Sequence, residues 1–315
     1  MNNFNSSRYL NYAKWDLTIN RKFYTNMFIV LAAAILSIVL ISFMLRWGTF
    51  EISKQGATGL MLDNRLWRTT LYILIVGVNA VIIMSACLLH PLRNKQGRTT
   101  HFTLPATTLE KYAWHFTICI FGTIVAFLAA TAICDGLNAL ASYFTFGPEY
   151  TGSLLGEMFR SDFFSIQNVA TATIPVDNHE AQDEFAMASN SNAFTAFSQV
   201  FLQFGWTFFC SLIFQTGLYA IFNSIIYKYN IPITYILQQI AEIIIAVVII
   251  AVVIIIGMHV DQHSNMSDDD VLRFFEGMNA WMVGINILSI VCGIAMWIGA
   301  YLLYKKGQLT TKFNK

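Results

Sequence analysis

Six long apolar runs constrain this chain more than any motif does; they lie near 24–45, 70–90, 112–134, 205–226, 234–258 and 279–304. Each is long enough for a helix of about 20 residues to cross roughly 30 Å of hydrocarbon. The composition agrees: of 315 residues, 56% are hydrophobic and 12% charged, with a mean hydropathy of +0.55. This is the profile of an all-α, multi-pass membrane protein with six transmembrane helices. The formal net charge is only +1, so no global basic field points to nucleic acid.

The placement of charge gives the orientation. With both termini cytoplasmic, the inner pieces carry Arg8, Lys14, Arg21, Lys22, Arg93, Lys95, Arg98, Lys111, Lys228, Lys305, Lys306, Lys312 and Lys315. The outer pieces carry only Arg46, Lys54, Arg65, Arg68, Arg160 and Arg273. That asymmetry follows the positive-inside rule. Before the first run, Ser7 to Lys22 mixes Tyr9, Tyr12 and Trp15 with basic residues and is too polar to insert. It predicts an amphipathic helix lying in the interface over 1–23. Spans one to three occupy 24–134, with an inner loop at 91–111. An extracytoplasmic segment and an outer extension of span four fill 135–204. Spans four to six fill 205–304, with an outer link at 259–278, and a basic tail closes the chain at 305–315.

The outer segment contains a short helical piece around Leu154–Phe164 and an acidic run from Asp177 to Asn192. It reads as a small helical cap over the outer mouth or as a loose insertion. In the outer link, Ser267 and Asp270 predict a short helix over 268–276 that dips back into the outer leaflet. The five cysteines, Cys87, Cys119, Cys134, Cys210 and Cys292, sit in or beside apolar runs without metal or disulfide spacing. They read as small packing residues, and no metal site is expected.

The most defined polar stretch is His101 to Tyr112, between spans two and three. Pro105 disfavours helix at Leu104, and Thr107 with Glu110 three residues later forms a capping-box pattern, so a helix should start near Thr107 or Thr108. Glu242 is the one acid well inside a span. Tyr235, Gln238, Gln239 and Glu242 follow helical spacing and make one polar stripe, which should face the protein interior or a water-filled path. The stripe lines a substrate route, or it makes a structural contact to another span through a group such as Asn79, Asn286 or His115. Ser289 and Gly293, with Gly284 and Gly299 nearby, permit close helix packing within the chain or across a dimer. His90 and His115 read as interfacial.

No G-x-x-x-x-G-K-[ST] phosphate loop, H-E-x-x-H or G-x-S-x-G is present. The chain therefore reads as a non-enzyme that carries no cofactor of its own.

Leu104-Pro105-Ala106-Thr107-Thr108-Leu109-Glu110-Lys111, the preceding Leu89-His90-Pro91-Leu92-Arg93-Asn94-Lys95, the basic leader and the tail Tyr304-Lys305-Lys306-Gly307-Gln308 carry a resemblance. In them the chain resembles the six-span permease subunits of bacterial ABC transporters of the type-two exporter class. The resemblance implies that the loop after span two forms a coupling helix on a separate ATPase subunit, through His101, Phe102, Leu104, Pro105, Ala106, Thr107, Leu109, Glu110 and Lys111. It also implies a leader helix along the membrane, re-entrant helices between spans five and six, and pairing with a second copy or a sister permease. The location implied is the bacterial cytoplasmic (inner) membrane, with the lipid bilayer and the ATPase as partners and no nucleic acid. Spans one to three would move against five and six when the partner binds ATP. The long acidic outer loop departs from compact members, and the rival reading is a non-transporting sensor or accessory protein whose acidic outer segment binds a ligand or partner.

Overall fold

A computed structural model describes residues 4–50, 60–89, 101, 103–148, 151–160, 192–225, 236 and 268–307. Among these residues the regular structure is helical. In chain order the helices are α1 (Ser6–Ile19), α2 (Arg21–Phe50), α3 (Leu60–Ala86), α4 (Thr108–Thr117), a π turn (Ile118–Gly122), α5 (Thr123–Phe146), α6 (Leu154–Met158), α7 (Asn192–Ile225) and α8 (Asp268–Gly307). Four stretches are long and apolar enough to cross a membrane: Arg21–Trp47, Leu66–Ala86, Thr108–Phe146 and Asn279–Lys306. They cover the expected spans one, three and six, and span two up to Ala86, after which 87–89 form a turn. The expected fourth span falls on α7, while the fifth, 234–258, lies almost wholly outside the described residues.

The chain divides into two compact units, one of residues 1–84 and 104–185, the other of 85–103 and 186–315. In the first, α2 and α5 run parallel and α3 runs against them. Cys134 Sγ meets Ala32 O, Phe146 packs on Phe43 and Trp47, Gly77 abuts the Phe127 ring, and Cys119 Sγ donates to Met84 O (3.1 Å). Leu31, Ile35 and Val39 of α2, Leu66 and Ile73 of α3, and Phe127, Ala130 and Cys134 of α5 form its core. Their spacing of three, four and seven places each set on one helix face. Lipid tails are as apolar as these side chains, so close packing and interhelical hydrogen bonds hold the bundle. Ser42 and Thr69 supply one such bond at 2.6 Å, and Arg46 Nη1 donates another to Ser142 (3.0 Å) from beneath the Phe146 ring.

The helix that carries span three is longer than the crossing its sequence implies. The continuous helix runs from Thr108 to Phe146, past the expected end at 134. Asp135 marks that end in the sequence, yet it is buried and accepts hydrogen bonds from Ser153 Oγ (2.8 Å), Leu154 N (2.8 Å) and Leu155 N (3.3 Å). A carboxylate so bonded does not have to leave the helix for water. The helix stops at Gly147, whose φ of 101° suits glycine alone, with Pro148 behind it. The chain then returns as α6, whose Leu154 enters the core.

In the second unit, α7 and α8 are parallel. Gly217 abuts Gly293 O, Gly293 abuts Ile213 O, Trp297 Nε1 donates to Thr216 (3.4 Å) and Ser224 Oγ donates to Ala300 O (3.2 Å). The expected separate short helix at 268–276 is corrected: Asp268–Gly307 is one helix of 40 residues. Gly277 lowers helix propensity by about 1 kcal/mol but does not break the run, and no proline interrupts it.

Candidate functional site

The corner after span two is built as its sequence dictates. Thr107 caps α4: Glu110 N donates to Thr107 Oγ1 (3.3 Å), and Thr107 N donates to Glu110 Oε2 (2.8 Å), so both halves of the capping box are made. Glu110 does more than cap. Its Oε1 also accepts from Asn5 N (2.8 Å) and from Arg8 Nη2 (3.1 Å) of the leader. The carboxylate is fully buried and spans a sequence separation of more than a hundred residues. Asn5 in turn caps α1, accepting from Ser7 N and Arg8 N. One acid thus ties together the starts of two helices, where negative charge is also favoured by both helix dipoles.

Eight residues beyond Arg8 along α1 a second acid does the same. Asp16 is fully buried; its Oδ2 accepts from Trp114 Nε1 (2.8 Å) and Tyr24 Oη (2.6 Å), its Oδ1 from Asn20 Nδ2 (2.7 Å). These bonds join α1, α2 and α4 at one point. Between the two acids, Tyr9 Oη donates to Thr117 (3.1 Å), and Tyr12 Oη lies 2.9 Å from His115 Nε2. Tyr12, Ala13 and Trp114 close a small apolar core with Leu104 and Ala106 at its edge. The leader helix is therefore docked along one whole face on α4. Its other face keeps Leu10, Leu17 and Ile19 exposed, which suits a helix lying at a membrane surface.

These contacts correct two sequence expectations. The face around His101 is not exposed: His101 is fully buried, 2.6 Å from Tyr304 Oη, within the second unit. Glu110 and Lys111 are buried as well, so the exposed residues of the corner within the first unit are Pro105 and Leu109. Leu104, Ala106 and Thr107 are half-buried, and Phe102 lies outside the described residues. His115 is also corrected, being a buried partner of Tyr12 and not a residue of the interface.

Of the polar stripe, Tyr235, Gln238, Gln239 and Glu242 all lie outside the described residues. Among its supposed partners, His115 is engaged by Tyr12, Asn79 Nδ2 donates to Ile75 O of its own helix (2.8 Å), and buried Asn286 Oδ1 makes no hydrogen bond among the described residues. Of the small residues, Gly293 faces Ile213 and Gly217, Ser289 is half-buried, and Gly284 has nothing near the position of a side chain.

Asp16, Tyr12 and Trp114 are the functional-looking residues that sequence reading passed over. The one local signal was Asp16 itself, an acid in a basic leader seven residues after Tyr9 and eight before Tyr24. Comparison with protein-family models, curated proteins and solved structures finds no match for the chain.

Proposed function

We infer that the chain is the membrane-spanning permease subunit of an ATP-driven transporter, of exporter type, driven by a separate ATPase at the corner 104–111. The observation that carries this reading is the fourfold engagement of Glu110, which binds the corner to the leader helix and to the start of span three. A force applied to exposed Pro105 and Leu109 passes directly into α1 and α4, because both are fixed to the same buried carboxylate. A helix start that served only to enter a bilayer would need the cap and nothing else.

The reading places six spans in a bacterial inner membrane, with both termini cytoplasmic and a second permease copy or sister subunit alongside. The course of the helices supports that count. Three crossings carry the first unit from the leader end to the Gly147 end. Parallel α7 and α8 need a return of the chain between them, and the apolar run 234–258 has the length and composition for it.

Copurification tests the proposal. Expressed with a phosphate-loop ATPase from the same genome, the chain should retain that ATPase in mild detergent. Leu109→Asp, an exposed change, should release the ATPase without altering the melting temperature. An ATPase that never associates, or one that associates equally with Leu109→Asp, overturns the coupling assignment.

A further inference from the structure

A cavity of about 390 Å³ opens on the flank of the first unit between α2, α3 and the π turn. That volume is in the range of small-molecule sites. Its wall is apolar, with Phe28, Leu31, Val76, Ala80 and Ala126, and it carries two polar side chains away from the leader end, Asn79 and Thr123. Thr123 lies nine residues beyond Trp114, about 13 Å deeper at 1.5 Å per residue. Asn79 stands exposed at the mouth, with one amide hydrogen committed to Ile75 O.

Thr123 is the anomaly. Its neighbours in the same continuous helix, Thr117, Thr131 and Thr145, each return their hydroxyl to the carbonyl four residues back, at 2.8, 2.9 and 2.6 Å. Thr123, only 6% exposed, makes no such bond, and its Oγ1 is buried without a hydrogen-bond partner among the described residues. It follows immediately on the π turn Ile118–Gly122, where the regular ladder is interrupted. Single π turns of this kind recur at functional sites, and a hydroxyl left without a partner in an apolar wall is costly. Rotation about χ1 to another staggered well moves the hydroxyl to a new position on Cβ, from which it can reach a ligand seated against the wall.

We propose that this cavity binds an uncharged, lipid-soluble molecule with a single hydroxyl or carbonyl group, held by Thr123 and Asn79. The chemistry excludes a charged ligand: the lining holds no acid or base, and the hydroxyl of Tyr24 is committed to Asp16. A bare acyl chain fills the volume but leaves Thr123 unsatisfied. The site stands whether or not an ATPase pairs with the chain.

The test uses the full chain in phosphatidylcholine nanodiscs and a diazirine-bearing octadecanol as photolabel, with labelled peptides mapped by mass spectrometry. Labelling should fall on 76–84 and 118–126. Unlabelled octadecanol should displace the label about five to ten times better than octadecane does, the ratio expected of one net hydrogen bond. Thr123→Val should lower protection by the same factor, while Thr123→Ser retains it; Asn79→Leu, at an exposed position, gives a second reading should Thr123→Val fold poorly. Equal displacement by octadecane or by phosphatidylglycerol, or labelling indifferent to both Thr123→Val and Asn79→Leu, reduces the cavity to a seat for ordinary bilayer chains and overturns the proposal.

Discussion

Asp16, Glu110 and Asp135 each accept three or more hydrogen bonds while almost or fully out of solvent, and each joins segments distant in sequence. Such acids resist even conservative change. Asp16→Asn places an amide donor among the donors Trp114 Nε1, Tyr24 Oη and Asn20 Nδ2, and should cost about 1.5–3 kcal/mol. Thermal unfolding of Asp16→Asn, Trp114→Phe and the double variant checks it: the double variant should be far less destabilised than the sum of the singles. Additive effects would mean the pair is not coupled. Glu110→Ala should cost at least the roughly 1 kcal/mol of a lost cap, and should raise hydrogen exchange over residues 5–19 as the leader loosens. At this scale the sequence displays only half of Glu110. Thr107 and Glu110 are three apart, and that spacing alone implies their reciprocal bonds. Asn5 and Arg8 lie over a hundred residues away, and no local pattern announces them.

Helix limits depend on whether a breaking residue has a reason to break. Asp135 reads as a span end because an acid prefers water, but α6 supplies its hydrogen bonds and the helix continues for eleven residues. Gly147 ends it instead, in a conformation close to that reserved for glycine. Gly147→Ala should cost about 1–3 kcal/mol in thermal unfolding. The glycines of α7 and α8 separate along the same lines. A Cβ on Gly293 would lie 2.7 Å from Ile213 O and one on Gly217 2.6 Å from Gly293 O, so either alanine substitution forces the two helices apart. Gly284→Ala meets nothing within 4 Å. It should be neutral or more stable by up to about 1 kcal/mol, the helix propensity gained. A melting series of Gly217→Ala, Gly284→Ala and Gly293→Ala distinguishes packing glycines from idle ones, which their spacing in the sequence does not.

For the molecule as a whole, the three helices of the first unit that are long and apolar enough to cross a membrane set a parity. The leader and the corner at Leu109 share one end, and Thr151 belongs to the other. Single cysteines at Ser6, Leu109 and Thr151, labelled in sealed vesicles with a membrane-impermeant maleimide, should report Ser6 and Leu109 from the same side and Thr151 from the opposite one. Labelling of all three from one side would exclude three crossings. Continuous helix from Thr108 to Phe146 amounts to about 58 Å, well beyond the roughly 30 Å of hydrocarbon. The stretch from Trp114 to Asp135, about 31 Å, matches that thickness and places the buried polar anchors near its two faces.

The sequence alone determined that the chain is helical, that it has segments suited to a bilayer, and that a helix begins at Thr107, because hydropathy, length and capping are local properties. Only the tertiary structure decided that the leader is fastened to α4, that the helix of span three continues past Asp135, that His101 is buried and that, among the described residues, Thr123 has no partner. Each of these depends on which distant group supplies or withholds a hydrogen bond, and that supply is fixed by packing between helices and not by neighbours along the chain.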